Sequence, residues 1–349
     1  MTAKTNTTPL SFNPETQTKI LLKALENERT LDVLMRRYGL KGEPETLESV
    51  GSSYGITRER VRQIEAQAIK AIRKSQEYSK IASNLKELAN VIENYGEVIP
   101  EYELIKLLNC TDKAKRHILF LLDAGEYFSK KKENPEFYTH WYLDEARAHS
   151  VREGLRSLAR ELSIDITLPE EEIIEKYIQK IPHPELIKKA NNKETPIRWL
   201  KISKKIARNP LGEWGLAHSP AVRVKGIRDY AYLTLKRHGS PMHFSEVATQ
   251  IEELFGRKAN PATTHNELIK DPRFVLVGRG LYALTEWGYT QGPVREIIKS
   301  ILKKEGPLSK QEIIERVKRE RYVKDNTIAV NLQDINIFER LDDGRFTLK

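Results

Sequence analysis

Residues 57–63 read T-R-E-R-V-R-Q, and the side chains gathered there suit one kind of chemistry. Arg58, Arg60 and Arg62 each carry a planar guanidinium fork that matches guanine O6 and N7. Gln63 carries the donor–acceptor couple that fits adenine N6 and N7, and Glu59 can accept from cytosine N4. Reading base edges in this way requires the five side chains to project from one rigid helix end into a duplex groove. The intervening residues supply such a helix. Val61, Ile64, Ala68 and Ile72 recur at helical spacing and predict a buried face on a helix from Thr57 to about Lys74. Lys70, Arg73 and Lys74 follow at its far end, where cations suit phosphates or the negative end of the helix dipole. An isolated Arg-Glu-Arg run is most simply a solvated charged face. That reading leaves the caps, turn and apolar rhythm around this run without an explanation.

Those surroundings are specific. Thr46 is placed to cap a short helix whose Leu47 and Val50 face inward. Gly55 permits a tight turn, Ile56 closes an apolar corner, and Thr57 caps the helix that carries the polar cluster. Upstream, Ile20, Leu21, Leu25, Leu31, Leu34 and Met35 predict one helix, or two short ones, with a single apolar face over 18–36. A Gly-containing break at 38–46 separates this segment from the helix pair.

The run RYGLKGEPETLESVGSSYGITRERVRQIEAQA (37–68) resembles region 4 of the primary-type sigma factors of bacterial RNA polymerase, and the likeness extends from about Leu25 to Ser75. It implies recognition of a promoter −35 element, with base contacts at Arg58, Glu59, Arg60, Arg62 and Gln63. It implies phosphate contacts near Arg29, Thr46 and Leu47. It also implies an apolar groove for the flap of the polymerase β subunit, for which Leu31, Leu34 and Met35 are the candidates. Gln67 stands where the family often has Lys, and Ser52-Ser53 replace a more charged pair. No stretch resembles sigma region 2, so promoter opening by this chain alone is not expected.

Beyond residue 80 the chain repeats. GEVIPEYEL (96–104), DITLPEEEI (165–173), SPMHFSEV (240–247) and GPLSKQEI (306–313) share a pattern, and their Glu103, Glu172, Glu246 and Glu312 recur roughly every 70 residues. Each unit then offers a helix start, at Thr111, Thr195-Pro196, Asn260-Pro261 and Thr327. Each ends in a strand-like aromatic stretch, at 136–143, 212–218, 278–284 and 344–348. Helix, helix, helix and hairpin make a winged-helix module.

The expected fold class is therefore mainly α, a tandem array of small helix-turn-helix and winged-helix domains with short β-hairpin wings. The expected order is a flexible tail at 1–17, the helix-turn-helix at 18–80, and winged-helix units at 81–148, 149–221, 222–289 and 290–349. The unit at 226–289, with H-G-S-P-M-H-F-S-E, N-P-A-T and the F-V-L-V-G-R-G-L-Y-A-L wing, resembles a HARE-HTH domain. That family includes the N-terminal domain of the polymerase delta subunit. Arg257, Lys258, His265 and Arg279 are its exposed candidates, while Tyr282 and Trp287 are expected to pack the wing.

Composition narrows the rest. Lys and Arg number 59 against 49 Asp and Glu, a net charge of +10 over 349 residues. The excess suits a polyanionic partner without specifying one. The sole cysteine, Cys110, excludes a disulfide within the chain and a CxxC metal site. None of the eight histidines has a metal-ligand spacing. There is no GxxxxGK[ST], no GxGxxG and no GxSxG. The expectation is a non-enzyme without metal or cofactor. The polar N-terminus and the lack of a long apolar run predict a cytoplasmic protein, and the DNA-binding reading adds the expectation of nucleoid association. The expected partners are promoter DNA and the polymerase core. The alternatives are a polymerase-binding accessory or inhibitory protein without sequence-specific reading, and a DNA-maintenance or host–phage factor built from the same modules.

Overall fold

The structure, a computed structural model, describes residues 8–164, 166–183, 194–289 and 292–349. Its first four helices begin where short polar side chains accept from the free N–H groups of a first turn. Asn13 caps α1 (Pro14–Leu22), Asn27 caps α2 (Glu28–Tyr38), Thr46 caps α3 (Leu47–Tyr54) and Thr57 caps α4 (Arg58–Arg73). The stretch 18–36 is thus two helices, because Asn27 restarts the chain. Residues 8–17 are not a free tail. Leu10 and Phe12 pack against the core, and the Ser11 amide donates to Glu87 over 2.7 Å. The rest of the expected tail, 1–7, lies outside the described residues.

Next come α5 (Gln76–Lys80), α6 (Ala82–Tyr95), β1 (Val98–Pro100), α7 (Glu101–Leu107), α8 (Asp112–Ala124), β2 (Ser129–Lys131) and β3 (His140–Tyr142). The strands form an antiparallel sheet in the order β1-β3-β2, which makes the stretch after residue 80 a winged helix. Thr111 caps α8 as its position suggested. Then follow α9 (Glu145–Glu161), α10 (Glu170–Lys180) and α11 (Glu194–Leu200). Thr195 and Pro196 fall in the first turn of α11, both buried.

The described residues divide into two compact units. The first holds residues up to 163 together with 168–207, the second 164–167 together with 208–349. No core boundary separates the expected domains at 80 and 81. Leu21, Leu34 and Ile72 share one apolar cluster with Leu88, Phe120 and Trp141. Full burial of one such side chain is worth about 1.5–3 kcal/mol, so dividing the cluster would cost far more than any linker contact. Nor is 149–221 one body, since the division falls at 207. Its residues 202–204 dock on the winged helix that carries β1–β3, where the Tyr138 amide donates to Ile202 O (3.0 Å) and the Lys204 amide to Glu136 O (2.8 Å). The strands β4 (Ile206–Arg208) and β5 (Trp214–Leu216) lie where the chain passes between units.

The second unit contains two winged helices. The first comprises α12 (Ile227–His238), β6 (Met242–His243), α13 (Phe244–Phe255), α14 (Pro261–Lys270), β7 (Phe274–Gly278) and β8 (Leu281–Leu284), with sheet order β6-β8-β7. Asn260 caps α14 with Pro261 in its first turn. Arg273 ties the module together by donating to Asp229 (2.8 Å) and Asp271 (2.7 Å). The other comprises α15 (Val294–Glu305), α16 (Lys310–Glu320), α17 (Asp325–Asn331), β9 (Phe338–Arg340) and β10 (Phe346–Leu348). Here Thr327 does not start a helix. It lies inside α17, whose cap position is Lys324. A backbone rung, the Tyr322 amide to Val277 O at 2.8 Å, runs from this winged helix to the edge of β7.

Two histidines of the first unit make its stability depend on pH. His117 on α8 is 3% exposed, and neither ring nitrogen has a hydrogen-bond partner among the described residues. Burial pushes its pKa below the usual 6.5, Lys113 and Lys19 add to this, and Glu15 opposes it. His140 is shifted the same way by burial, helped by Arg152 and opposed by its bond to the Tyr138 carbonyl. A histidine with a depressed folded pKa is protonated first in the unfolded chain. Stability is therefore full above about pH 6.5 and falls as the pH drops below it toward the folded values. The urea midpoint of the first unit is expected to be lower at pH 5.5 than at pH 7.5, and His117→Leu to flatten that dependence. An unchanged slope in His117→Leu would remove His117 from this account.

Candidate nucleic-acid interface

The α3–α4 pair is set by backbone geometry before any side chain acts. Thr46 Oγ1 accepts from the Ser49 amide (3.1 Å) at the start of α3. Gly55 ends α3 in the left-handed region at φ 63°, and the Ile56 amide returns to Gly51 O at 3.0 Å. This is the common left-handed helix stop, which favours glycine. A Cβ on Gly51 would lie 2.7 Å from the Ile56 carbonyl oxygen, so the chain after the turn crosses directly over that glycine. Thr57 Oγ1 then accepts from the Arg60 amide (3.2 Å) and starts α4.

Helix α4 is buried along Val61, Ala68 and Ile72, which are 0, 2 and 0% exposed. Val61 joins Val33 and Val50 in a small core completed by Leu47, Tyr54, Ile56 and Ile64, whereas Ala68 and Ile72 belong to the main core. The opposite side is solvent-facing. Arg58, Glu59, Arg60, Arg62 and Gln63 are all exposed at the N-terminal end of α4. They are not independent. Arg62 forks onto Glu59 at 2.7 and 2.9 Å, and Arg60 Nη1 donates to Gln63 Oε1 at 3.1 Å. The bond from Arg62 holds the Glu59 carboxyl below the ordinary carboxylate range. Exposed pairs of this kind are weak and separate readily when a stronger partner arrives.

The residues expected to touch phosphates divide into two sets. Arg29 is exposed and lies 4.8 Å over the Tyr54 ring, whose hydroxyl donates to Asp32 at 2.7 Å. Arg29 and Arg60 both line a groove of about 530 Å3 with Leu25, Asn27, Ile64 and Gln67. Lys70 on α4 and Lys74 just past its end are exposed. Thr46 uses its hydroxyl to cap α3 and Leu47, in the first turn of α3, is half-buried. Arg73 is a correction. Its guanidinium donates to Ala124 O (2.9 Å), Asp123 O (3.0 Å) and Gly125 O (3.1 Å). It caps the C-terminal end of α8, so its fork is committed to protein carbonyls. Leu34 is a second correction. It is 0% exposed, so it is core and not a docking surface, while Leu31 and Met35 are half-buried.

A polar frame that sequence reasoning missed holds α2, α3 and α4 together. Arg36 donates to both oxygens of Glu45 at 2.7 Å and to Ser53 at 2.7 Å. The pairing raises the Arg36 pKa above its ordinary value and lowers that of Glu45 to about 2. Arg37 donates to Glu65 on α4 at 3.1 Å and to the Glu45 carbonyl. The Arg36-Arg37 pair ahead of Glu45 was visible in the sequence, but only the loop fold brings them together.

In the α12–α14 winged helix, Arg257, Lys258 and Arg279 are exposed. His265 stacks on Phe244 at 4.3 Å with its edge partner Tyr282 at 5.7 Å. Tyr282 is 2% exposed and Trp287 packs on the module's cores, as expected of wing-packing residues. Among the described residues no group of three or more His, Cys, Asp or Glu side chains could hold a metal ion, and no helix is long and apolar enough to cross a membrane.

The turn makes two glycines testable. Gly51→Ala is expected to destabilise the first unit by about 1–3 kcal/mol, because backbone must move to admit the methyl. Gly55→Ala meets open space and should cost about 1–2 kcal/mol from φ alone. Urea unfolding of both variants checks the expected order, which fails if Gly51→Ala is neutral.

Comparisons with known proteins agree with this geometry. Residues 22–74 match the family model "Sigma-70, region 4". Residues 227–287 match the HARE-HTH family model, a helix-turn-helix domain named in part for ASXL and restriction endonuclease proteins. The RNA polymerase sigma factor SigA of Bacillus sp is 53% identical over 47 residues, 13% of this chain and 12% of that protein. The SigA proteins of Microcystis aeruginosa and of Synechocystis sp. are each 44% identical over 66 residues, 17% of this chain and 16% of theirs. The chain therefore spans under a sixth of the length of these curated relatives. It carries a sigma-70 region 4 module and a HARE-HTH domain within a mainly helical array of helix-turn-helix and winged-helix units.

Proposed function

We propose that this protein is a sigma-like transcription factor that reads promoter DNA of the −35 type through α4 and associates with bacterial RNA polymerase. One observation carries the reading. Five polar side chains of base-reading type stand exposed on one end of a helix whose other face is fixed in two cores. With α4 in a major groove, Arg58, Arg60 and Arg62 offer forks to guanine, Gln63 pairs with adenine, and Glu59 accepts from cytosine. Arg62 leaves Glu59 as it engages a base, and each partner of the pair then has an edge to read. Lys70, Lys74, Arg29 and the first-turn amides of α3 hold the phosphates and set the register. This role places the protein on the nucleoid in the bacterial cytoplasm.

The sigma resemblance implies the β flap as the polymerase contact. Leu34 does not contribute to such a contact, which leaves Leu31 and Met35 as the half-buried candidates. The second reading, a polymerase-binding accessory protein without base reading, predicts equal affinity for all duplexes.

Binding measured by fluorescence anisotropy on a selected site and on a scrambled duplex separates the two. Arg60→Ala is expected to cost about 1–3 kcal/mol on the selected site and to relax preference at one base pair. Lys74→Ala should weaken both complexes alike and reduce the slope of log affinity against log salt by about 0.9. Equal losses on both duplexes for Arg60→Ala would contradict base reading.

A further inference from the structure

In a helix-turn-helix or winged-helix unit, the last helix is the one that enters a groove. In the winged helix that carries β1–β3 that helix is α8, and its position is not compatible with the task. His117, Ile118, Phe120, Leu121, Leu122 and Ala124 are buried, which closes more than one face of a 13-residue helix. What closes it is α1 together with α2 and α4 of the sigma-like module. Phe120 and Leu121 share a core with Leu34, Leu40 and Ile72, and the Tyr38 and Phe120 rings meet edge to face at 5.1 Å. Polar contacts fix both ends of α8. Arg73 donates to three carbonyls at its C-terminal end, and Tyr38 Oη lies 3.3 Å from Asp123. Near its N-terminal end Lys113 pairs with Glu15 at 2.7 Å, and Arg116 reaches Glu43 and the Gly42 carbonyl. A cation over the last carbonyls is placed correctly for the helix dipole.

Leu34, Leu40 and Ile72 lie inside the stretch matched by the region 4 family, whereas α8 lies beyond it. The apolar face is thus part of the shared module, and its cover here comes from outside that module. We propose that α8 is a partner held in cis. It occupies the apolar face on the side of α4 away from Glu59, Gln63, Ala66 and Lys70, and closes that face to any external helix. The winged helix that carries α8 is then an internal ligand of the DNA-reading module and not a second reader. The inference stands on packing and does not require the DNA reading to be right.

Hydrogen exchange of the full chain in increasing urea tests it directly. The amides of α2, the C-terminal half of α4 and α8 are expected to lose protection at one common urea concentration. Arg73→Met, which keeps the stem and removes the fork, should lower that concentration for all three together. Loss of α8 protection at a clearly lower urea concentration than α2 and α4 would overturn the proposal. A second arm uses the full chain carrying Cys110→Ser, Glu15→Cys and Lys113→Cys, bridged by a short bismaleimide so that α8 cannot leave. Purified bacterial RNA polymerase core is expected to retain bridged and unbridged protein equally, at whatever level. Loss of retention on bridging would show that a partner must displace α8, and the proposal would fail.

Discussion

The presentation of the candidate DNA-reading surface depends on the burial of one stripe of α4. Val61 enters a small core with Val33 and Val50, while Ala68 and Ile72, about two and three turns further on, enter the main core of the first unit. A helix anchored at both ends in different cores can neither roll nor tilt without opening one of them, and packed interiors resist such openings strongly. The rotation of α4 is thereby fixed, and with it the outward direction of Arg58, Arg60, Arg62 and Gln63.

Polar contacts refine what packing decides. Arg36 joins α2 to the Glu45 loop and to Ser53 of α3, and Arg37 joins α2 to Glu65 of α4. Both guanidinium groups are partly buried, where a satisfied bidentate pair is directional and an unsatisfied one would be costly. These contacts set the angle of the helix pair. The loop from Gly39 to Glu45 is therefore part of the framework of the candidate interface even though it carries none of the candidate base-reading residues.

Regular repetition along the sequence does not make the first unit a row of independent modules. Repeats at 96–104 and 165–173 do begin comparable helices, yet α8 packs into the preceding module, and α11 docks likewise. Trp199 Nε1 donates to Gly96 O at 3.0 Å and Arg198 to Asn94 O at 2.9 Å. In the second unit, by contrast, Pro261, Ala262, Thr263 and Asn266 of α14 remain exposed. The same local pattern therefore serves as connector in one half of the chain and as free surface in the other.

The sequence alone determined what is local. Caps at Thr46, Thr57, Thr111 and Asn260, the turn at Gly55 and the amphipathic rhythm of α4 were legible, because each depends on a few neighbouring residues and backbone sterics. The fold class and both family resemblances followed from the same signals. Tertiary structure decided the rest. Whether Arg73 faces a phosphate or caps α8, whether Leu34 is surface or core, and whether residue 80 ends a domain all depend on a helix that lies far along the chain. Helical periodicity states which side of a helix is apolar, but not what will cover it. That choice is made by whichever distant surface excludes the most water, and no spacing within the helix records it.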